Sequence, residues 1–154
     1  MFCDNKLQSL WGVCYNSSMK SLQVVGAIFI KEGKVFAAKR GDSRYPYVAH
    51  KYEFVGGKVE PGESCPEALA RELREEMTLD ATVLAPYVTV RHTYPDFVVT
   101  LHVYLCEMTS SYRLLEHEGA AWLSPDQLNP EEWAPADAPI VERLRYDMQR
   151  GDLC

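Results

Sequence analysis

Three glutamates near the middle of the chain, Glu72, Glu75 and Glu76, have the spacing of a chemical site. On a helix that turns about 100° per residue, they fall within one sector roughly 100° wide. Carboxylates held about 4 Å apart repel by about 4 kcal/mol at an effective dielectric constant near 20. A solvated acidic face is the competing interpretation, but a purely structural helix would relieve this repulsion with interspersed Lys or Arg. The spacing therefore predicts an oxygen-only site for Mg²⁺ or Mn²⁺, hard ions that also bind phosphate oxygens.

The sequence around these glutamates predicts the helix that carries them. Ser64 and Glu67 form a capping-box pattern, and Pro66 stands in the first turn, where a missing N–H costs little. The helix is therefore predicted to begin at Cys65. An apolar face with helical spacing is expected to be buried. Its members are Pro66, Leu69, Ala70, Leu73 and Met77.

The stretch from residue 56 to residue 79 resembles the Nudix box. That pattern is Gly, five residues, Glu, seven residues, Arg-Glu, an apolar residue, any residue, Glu-Glu, any residue, Gly and an apolar residue. The matching positions are Gly57, Glu63, Arg71, Glu72, Leu73, Glu75, Glu76 and Leu79. Thr78 departs from the pattern, because the family has Gly there. A Gly permits a left-handed helix end, so a β-branched residue is expected to be strained or to force another ending.

The resemblance extends from about Leu22 to the C-terminal helix predicted at residues 137–149. It is closest to the MutT-like branch, whose members hydrolyse nucleoside triphosphates to a nucleoside monophosphate and diphosphate. It implies Mg²⁺ as cofactor, with Mn²⁺ as a substitute. The implied metal ligands are Glu72, Glu75, Glu76 and the carbonyl group of Gly56. Arg71 and Glu63 are expected to pair with each other and hold the loop to the helix.

The resemblance also implies a group that activates the attacking water. The two candidates are Glu76 in the box and Glu116, which stands six residues before Trp122 and matches a loop glutamate of the branch. Glu118 is close enough in sequence to be the rival of Glu116. The implied catalytic group is Glu75, Glu76 and Glu116, supported by Arg71 and Glu63.

Four residues outside the box are implied to bind substrate. Arg40 matches a phosphate-contacting arginine, and a guanidinium suits bidentate phosphate contact, although a solvated strand end is an equal alternative. Lys51 closes the polar, aromatic loop 41–51, which is long enough to form one wall of a pocket. Phe97 stands where related enzymes often carry an arginine, and it either stacks on a base or caps a hairpin. Asp137 matches the position that reads the base.

The side chain of Asp137 bears on which base is preferred. An ionised carboxylate only accepts hydrogen bonds, so it favours bases that present donors. This leads us to expect 8-oxo-dGTP as the substrate and a role in cleansing the nucleotide pool. CTP, dCTP or a modified cytosine triphosphate is the alternative. If Asp137 is buried and protonated, it can donate as well and the choice widens.

Composition limits the other classes of function. The chain has 154 residues, of which 47% are hydrophobic, and this is enough for the core of a single domain. A net charge of −6 disfavours stable binding to nucleic acid. Five cysteines without a C-x-x-C pattern indicate neither a disulfide framework nor a zinc site, and they fit a cytoplasmic protein. We expect no membrane contact, and a monomer or homodimer.

The predicted elements describe an α+β protein. Residues 1–18 lack periodicity and are expected to be a disordered extension or a mis-assigned start, the alternative being an arm that docks on the domain. Residues 19–154 form the domain. Strands are predicted at 23–30, 34–40, 52–54, 81–94, 97–106 and 119–123, and helices from Cys65, after Ser124 and at 137–149. This order is compatible with the Nudix α/β/α sandwich around a mixed central sheet.

Three alternative functions remain within this frame. A catalytically inactive nucleotide sensor would typically lose one of the metal glutamates, and all three are present. A DNA-binding repair module is disfavoured by the acidic charge balance. A hydrolase of ADP-ribose or dinucleoside polyphosphates would share the fold, but the sequence carries no additional domain or signature for it.

Overall fold

The computed structural model describes residues 19–153. The extension predicted for residues 1–18 lies outside these residues and stays a prediction. The described residues form seven strands and two α-helices, with two short 3-10 turns at Pro125–Gln127 and Pro130–Glu132. In chain order the elements are β1 Lys20–Lys31, β2 Lys34–Lys39, β3 Tyr52–Glu53, β4 Gly56–Lys58, α1 Cys65–Met77, β5 Ala81–Thr93, β6 Phe97–Met108, β7 Gly119–Leu123 and α2 Ala138–Gln149.

Strand β1 is the centre of a mixed sheet. It runs parallel to β6 and antiparallel to β2 and β4, while β5 extends the sheet beyond β6. Strands β3 and β7 both pair with β2 in the antiparallel sense. The predicted hairpin between β1 and β2 is confirmed. Its turn is Glu32-Gly33, and both residues have positive φ, as a two-residue turn of this kind requires.

The two helices cover opposite faces of the sheet. Residues 25–29 of β1 form a continuous buried run, which is expected of a strand covered on both faces. Alternate residues of that run contribute to different cores. Val25, Ala27 and Phe29 pack with Leu69 and Leu73 of α1, whereas Ile28 belongs to the core that contains Ile140, Val141 and Leu144 of α2. The predicted single-domain α/β/α sandwich with a mixed sheet is confirmed.

Two predictions made from the sequence are wrong: one segment is a strand and not a loop, and one residue of the helix is exposed and not buried. Gly56–Lys58, expected in a loop, forms strand β4, with Gly57 opposite Val25 of β1. Two adjacent glycines carry no strand signal in the sequence, because glycine is depleted in ordinary strands. Pro66, predicted to belong to the buried face of α1, is exposed, because the buried part of the helix begins only at Ala68. Within residues 19–153, no helix is both long and apolar enough to span a membrane.

Thr78 ends helix α1 in the left-handed conformation, with φ 48° and ψ 36°. This is the conformation that the Gly of the Nudix pattern would adopt without strain. The N–H of Thr78 donates to Arg74 O, and its hydroxyl donates to Met77 O at 2.6 Å. The chain therefore keeps the helix ending of the family although a β-branched residue occupies the position.

Replacing this residue should stabilise the protein. The left-handed conformation destabilises a residue that has a Cβ by about 1–2 kcal/mol, and glycine would remove this strain. Glycine also has a greater conformational entropy in the unfolded chain, which opposes the gain by about 0.5–1 kcal/mol. Thr78→Gly should therefore raise the free energy of unfolding by about 0.5–1 kcal/mol in urea titrations. Thr78→Ala keeps the Cβ and is the control, for which we expect no gain. Equal stabilisation by both substitutions would show that the strain does not lie in the backbone.

Candidate active site

The capping box places helix α1 as predicted. The hydroxyl oxygen of Ser64 accepts from the N–H of Glu67 at 3.2 Å, and the Glu67 carboxylate accepts from the N–H of Ser64 at 2.9 Å. Leu69, Leu73 and Met77 are buried against the sheet. This apolar side fixes the rotation of the helix. Glu72 and Glu76, each three residues after one of the buried leucines, therefore lie at the margin of the sheet. There they face strand β4 and the cavity described below.

Arg71 joins the loop before the helix to the helix itself. Its Nε and Nη2 donate to the two carboxylate oxygens of Glu63 at 2.6 and 2.9 Å, and Nη2 also donates to Lys58 O at 3.0 Å. The hydrogen bond from Arg71 is the largest of the effects that lower the pKa of Glu63 to about 2. Nη1 donates to Glu72 at 3.0 Å and reaches Glu75 at 3.4 Å. The expected pair of Arg71 and Glu63 is therefore present.

Gly57 leaves the space that the Glu72 carboxylate occupies. A Cβ added to Gly57 would lie 2.3 Å from Cδ of Glu72, and one added to Gly56 would lie 1.8 Å from Val25 O. The side chain of Glu72 is only 13% exposed. The glycine pair thus serves two packing roles: Gly56 permits the pairing of β4 with β1, and Gly57 permits a carboxylate to lie against the strand.

A cavity of about 1300 Å³ opens beside these residues. A volume of this size exceeds that of most drug-sized ligand pockets. Carboxylates, a guanidinium, an imidazole and aromatic rings share its wall. The lining residues that matter chemically are Glu53, Gly56, Gly57, Glu72, Glu76, Glu116, His117, Arg40, Tyr45, Tyr94, Phe97 and Asp137.

The cavity brings together most, but not all, of the residues implied by the sequence. Glu75 does not line it; its carboxylate is 59% exposed and faces Arg71 one helical turn earlier. The ammonium group of Lys51 donates instead to Glu131 O at 2.9 Å. Glu118 accepts from His50 at 3.0 Å outside the lining, so Glu116 is the better placed of the two loop glutamates. The roles assigned to these residues stay predictions.

The carboxyl groups in the cavity repel one another. Burial raises the pKa of Glu76 to about 7, and Glu116 and Glu72 act in the same direction. Burial also raises the pKa of Glu72, although hydrogen bonds from Arg71 oppose the shift. Within residues 19–153, no three His, Cys, Asp or Glu side chains converge closely enough to form a complete metal cluster. The donors nevertheless fit a hard cation, because they are oxygen atoms whose mutual repulsion a cation would relieve.

Two further residues of the cavity, Glu53 and His117, were not predicted from the sequence. Arg40 Nη1 donates to Glu53 Oε1 at 2.7 Å, and His117 Nε2 lies 2.8 Å from Glu53 Oε2. Burial alone would raise the pKa of Glu53, but His117 and Arg40 outweigh it and the pKa is lowered. Burial alone would lower the pKa of His117, but Glu53 outweighs it and the pKa is raised. The signal in the sequence was only that His117 adjoins Glu116.

Asp137 lies where the aromatic residues meet the charged ones. Its side chain is buried, and desolvation, reinforced by Glu53, raises its pKa well above the usual value. The N–H of Phe54 donates to its Oδ1 at 3.4 Å. This shift favours the acid form of the side chain, which donates as well as accepts. Of the two conditions under which the choice of base widens, burial is met.

The aromatic part of the wall is built from two segments. Phe97, at the start of β6, contacts Tyr45 of the loop 41–51 with ring centroids 5.4 Å apart and Tyr94 at 5.2 Å. The loop is held to the hairpin turn by Tyr47, whose hydroxyl donates to Asp96 at 2.6 Å. The loop 41–51 therefore forms one wall of the cavity, as predicted.

An acidic helix margin, a buried carboxyl group and an aromatic wall surround one cavity. The NUDIX domain model matches residues 20–144. The chain is 36% identical over 125 residues to the CTP pyrophosphohydrolase of Escherichia coli (strain K12), covering 80% of this chain and 91% of that protein. It is 31% identical over 129 residues to the 8-oxo-dGTP diphosphatase of the same strain, covering 82% and 98%.

Solved structures agree with these similarities. The solution structure of the E. coli ORF135 protein has a TM-score of 0.73 and 35% identity, covering 85% of this chain and 93% of that one. The MutT protein of methicillin-resistant Staphylococcus aureus 252 has a TM-score of 0.65 and 37% identity, covering 83% and 98%. The chain belongs to the NUDIX family and is a Nudix hydrolase.

The packing of Glu72 on Gly57 can be tested directly. Because the Glu72 carboxylate is the end of a flexible side chain, Gly57→Ala should displace it at a cost of at most about 1 kcal/mol, or roughly 2–4 °C in Tm. Hydrolase activity should nevertheless fall at least about 100-fold, since small misplacements of a reacting group have effects of that size. Gly119→Ala is the neutral control, because an added Cβ there meets nothing within 4 Å. Unchanged kcat/KM in Gly57→Ala would contradict the assignment of Glu72 to the site.

The repulsion between carboxyl groups predicts a pH-dependent stability. The pKa of Glu76 rises from 4.5 to about 7 in the folded protein, so ionisation destabilises the fold as pH rises through this window. In EDTA at pH 8, Glu76→Gln should therefore have a higher Tm than wild type, and the difference should vanish near pH 4.5. Mg²⁺ should raise the Tm of wild type at pH 8 more than that of the variant. Glu107→Gln, on the exposed side of β6, is the control, and a Glu76→Gln difference that is independent of pH would refute the electrostatic account.

Proposed function

We propose that this protein hydrolyses nucleoside triphosphates, with Mg²⁺, to a nucleoside monophosphate and diphosphate. The observation that carries the proposal is that Glu72, Glu76 and Glu116 line the same cavity as Arg40 and Asp137. Oxygen donors for a cation, a guanidinium for phosphate and a buried acid for a base are what a nucleoside triphosphate requires. The E. coli relatives, named CTP pyrophosphohydrolase and 8-oxo-dGTP diphosphatase, support this reaction class.

The metal would be held by the oxygen donors of the cavity. Glu72, Glu76 and the carbonyl of Gly56 are the residues that fit, and Glu75 would join them by turning away from Arg71. When bound, a divalent cation neutralises the charge of the phosphate oxygens and so favours attack on phosphorus. Mn²⁺ is expected to substitute for Mg²⁺, since both prefer oxygen ligands.

The chain's own residues have three tasks in this reaction. Arg40 orients the triphosphate through its guanidinium. Glu76 or Glu116 accepts a proton from the attacking water. The water oxygen forms a bond to phosphorus, an anhydride bond between phosphates breaks, and diphosphate leaves. Arg71 and Glu63 hold the loop and helix in place during these steps.

For the base we propose 8-oxoguanine, in 8-oxo-dGTP, as the preferred ligand. Burial raises the pKa of Asp137 and so favours a form that presents an O–H donor as well as an acceptor oxygen, and 8-oxoguanine presents an N7–H donor beside the O6 acceptor. Phe97 and Tyr45 offer the aromatic surface beside which a base would lie. The similarity to the E. coli 8-oxo-dGTP diphosphatase, over 98% of its length, supports this choice.

A cytosine nucleotide is the second candidate. Cytosine presents its amino group beside the N3 acceptor, which also matches a neutral carboxylic acid. The observation that favours it is the 36% identity to the E. coli CTP pyrophosphohydrolase, against 31% to the 8-oxo-dGTP diphosphatase. CTP, dCTP and modified cytosine triphosphates are therefore included in the test.

The test compares 8-oxo-dGTP, dGTP, CTP and dCTP, with Mg²⁺ and detection of diphosphate, in wild type and Asp137→Asn. Because Phe54 N–H engages Oδ1, an Asn would place its NH₂ group at the position of Oδ2, so a group that only donates would replace an oxygen that can accept. A base that donates a hydrogen bond to Asp137 would lose the oxygen that accepts this bond. The loss costs about 1–3 kcal/mol, or roughly 5- to 150-fold in kcat/KM. The preference for 8-oxo-dGTP over dGTP should fall accordingly.

Two outcomes would count against the proposal at different levels. Asp152→Asn, an exposed carboxylate outside the cavity, is the matched control and should change nothing. The same ranking of nucleotides in wild type and Asp137→Asn would show that Asp137 does not read the base. Binding of nucleotides without release of diphosphate would instead identify an inactive nucleotide sensor.

A further inference from the structure

We propose that His117 is a positioning residue, which orients the guanidinium of Arg40 towards the substrate phosphates by way of Glu53. The inference rests on the proposed function, because it assigns phosphate contact to Arg40. It concerns two residues, His117 and Glu53, to which the Nudix pattern gives no role.

The three side chains form a continuous chain of hydrogen bonds. His117 Nε2 lies 2.8 Å from Glu53 Oε2, and Arg40 Nη1 donates to Glu53 Oε1 at 2.7 Å. Both oxygens of the Glu53 carboxylate are thus engaged, one by a buried side chain and one by a partly exposed side chain. Side-chain exposure rises along the chain, from 4% at His117 through 19% at Glu53 to 44% at Arg40. These hydrogen bonds therefore lead from a buried side chain to one that is partly exposed to solvent.

The backbone holds the three residues in register. Glu53 pairs with Ala38 between β3 and β2, and the N–H of Arg40 donates to Lys51 O at 2.9 Å. On the other side of β2, the N–H of Glu118 donates to Lys39 O at 2.9 Å, which fixes the loop that carries His117. All three side chains therefore start from adjacent strand ends. The side-chain contacts of Glu53 with Arg40 and His117 add to this by setting the direction of the exposed Arg40 guanidinium.

The second nitrogen of His117 indicates which contact matters. Nδ1 is buried and has no hydrogen-bond partner among residues 19–153. A buried polar atom without a partner is costly, and an apolar side chain at this position would avoid that cost. Packing alone therefore does not account for a histidine here. The Nε2–H contact to Glu53 is what an apolar residue could not supply.

Without this contact, the Glu53 carboxylate that holds Arg40 would itself be held less firmly. Glu53 would retain only the guanidinium, and an exposed arginine has many rotamers, whose restriction on binding costs free energy. A guanidinium held by one carboxylate oxygen keeps its remaining N–H groups for a phosphate. The expected consequence is a weaker grip on the triphosphate, which appears mainly in KM.

The experiment uses substitutions that separate the two nitrogens. The amide nitrogen of His117→Gln reaches the position of Nε2, and that of His117→Asn reaches the position of Nδ1. His117→Leu should raise KM for a nucleoside triphosphate and lower kcat/KM about 10- to 100-fold, the usual range for loss of a residue that orients a binding group. His117→Gln should recover most of this loss and His117→Asn should not. Equal activity of the Gln and Asn variants would overturn the proposal, and their comparison remains decisive if His117→Leu does not fold.

A double-mutant cycle tests the route through Arg40. If His117 acts by orienting Arg40, its replacement by Leu should have little further effect on kcat/KM in an Arg40→Ala background. Additive losses would show that His117 acts on the reaction by another path. His102→Leu is the matched control, because His102 is a strand histidine outside the cavity lining, hydrogen-bonded to Gln23 and Thr89.

A spectroscopic measurement separates this inference from the proposed function. If wild type releases no diphosphate from any nucleotide, the proposed function fails, but the contacts of Arg40 can still be observed. The side-chain Nε–H signal of Arg40 in ¹H–¹⁵N NMR should shift and broaden in His117→Leu and return towards its wild-type position in His117→Gln. An Arg40 signal that is identical in wild type and His117→Leu would overturn the positioning role whatever the activity.

Discussion

The contact between the Glu72 carboxylate and the backbone of β4 at Gly57 is the constraint on which the site depends. It requires a residue without a Cβ in the strand and a helix whose rotation is fixed by its buried side. Because helix and strand approach this closely, Glu72 and Glu76 lie near each other and are partly shielded from solvent. Burial, with the nearby Glu116 and Glu72, raises the pKa of Glu76 to about 7. Arg71 offsets part of the repulsion through its hydrogen bond to Glu72. The fold therefore holds carboxyl groups together at an electrostatic cost that a bound cation would remove.

The rest of the cavity balances this acidic margin with positive charge. Glu53 interacts electrostatically with both Glu76 and Asp137, and it is itself held by Arg40 and His117. This arrangement lowers the pKa of Glu53 and raises that of Asp137, although both are carboxyl groups in the same cavity. Two environments thus favour the carboxylate form of Glu53, which only accepts hydrogen bonds, and the acid form of Asp137, which can also donate.

Local chemistry in the sequence predicted those parts of the structure that depend on neighbouring residues. The Glu32-Gly33 turn and the helix after the capping box follow from short-range patterns, and both are confirmed. Strand Gly56–Lys58 could not be predicted, because its glycines are selected for close approach and not for strand propensity. The contact of His117 with Glu53 joins residues 64 positions apart, and no periodicity marks either of them. The orientation of Glu75 towards Arg71 likewise depends on which partner a flexible side chain finds in the folded protein.

The most direct test of the account is the binding of Mn²⁺, followed by electron paramagnetic resonance at pH 7.5 without nucleotide. Wild type should bind Mn²⁺, and Mg²⁺ should compete for the same site. Glu72→Gln should weaken the affinity at least about 10-fold, as expected when a group that holds a metal is lost, while Glu107→Gln should leave it unchanged. An equal Kd for wild type and Glu72→Gln, with both proteins folded, would show that the acidic helix margin is not a metal site and would contradict the central claim.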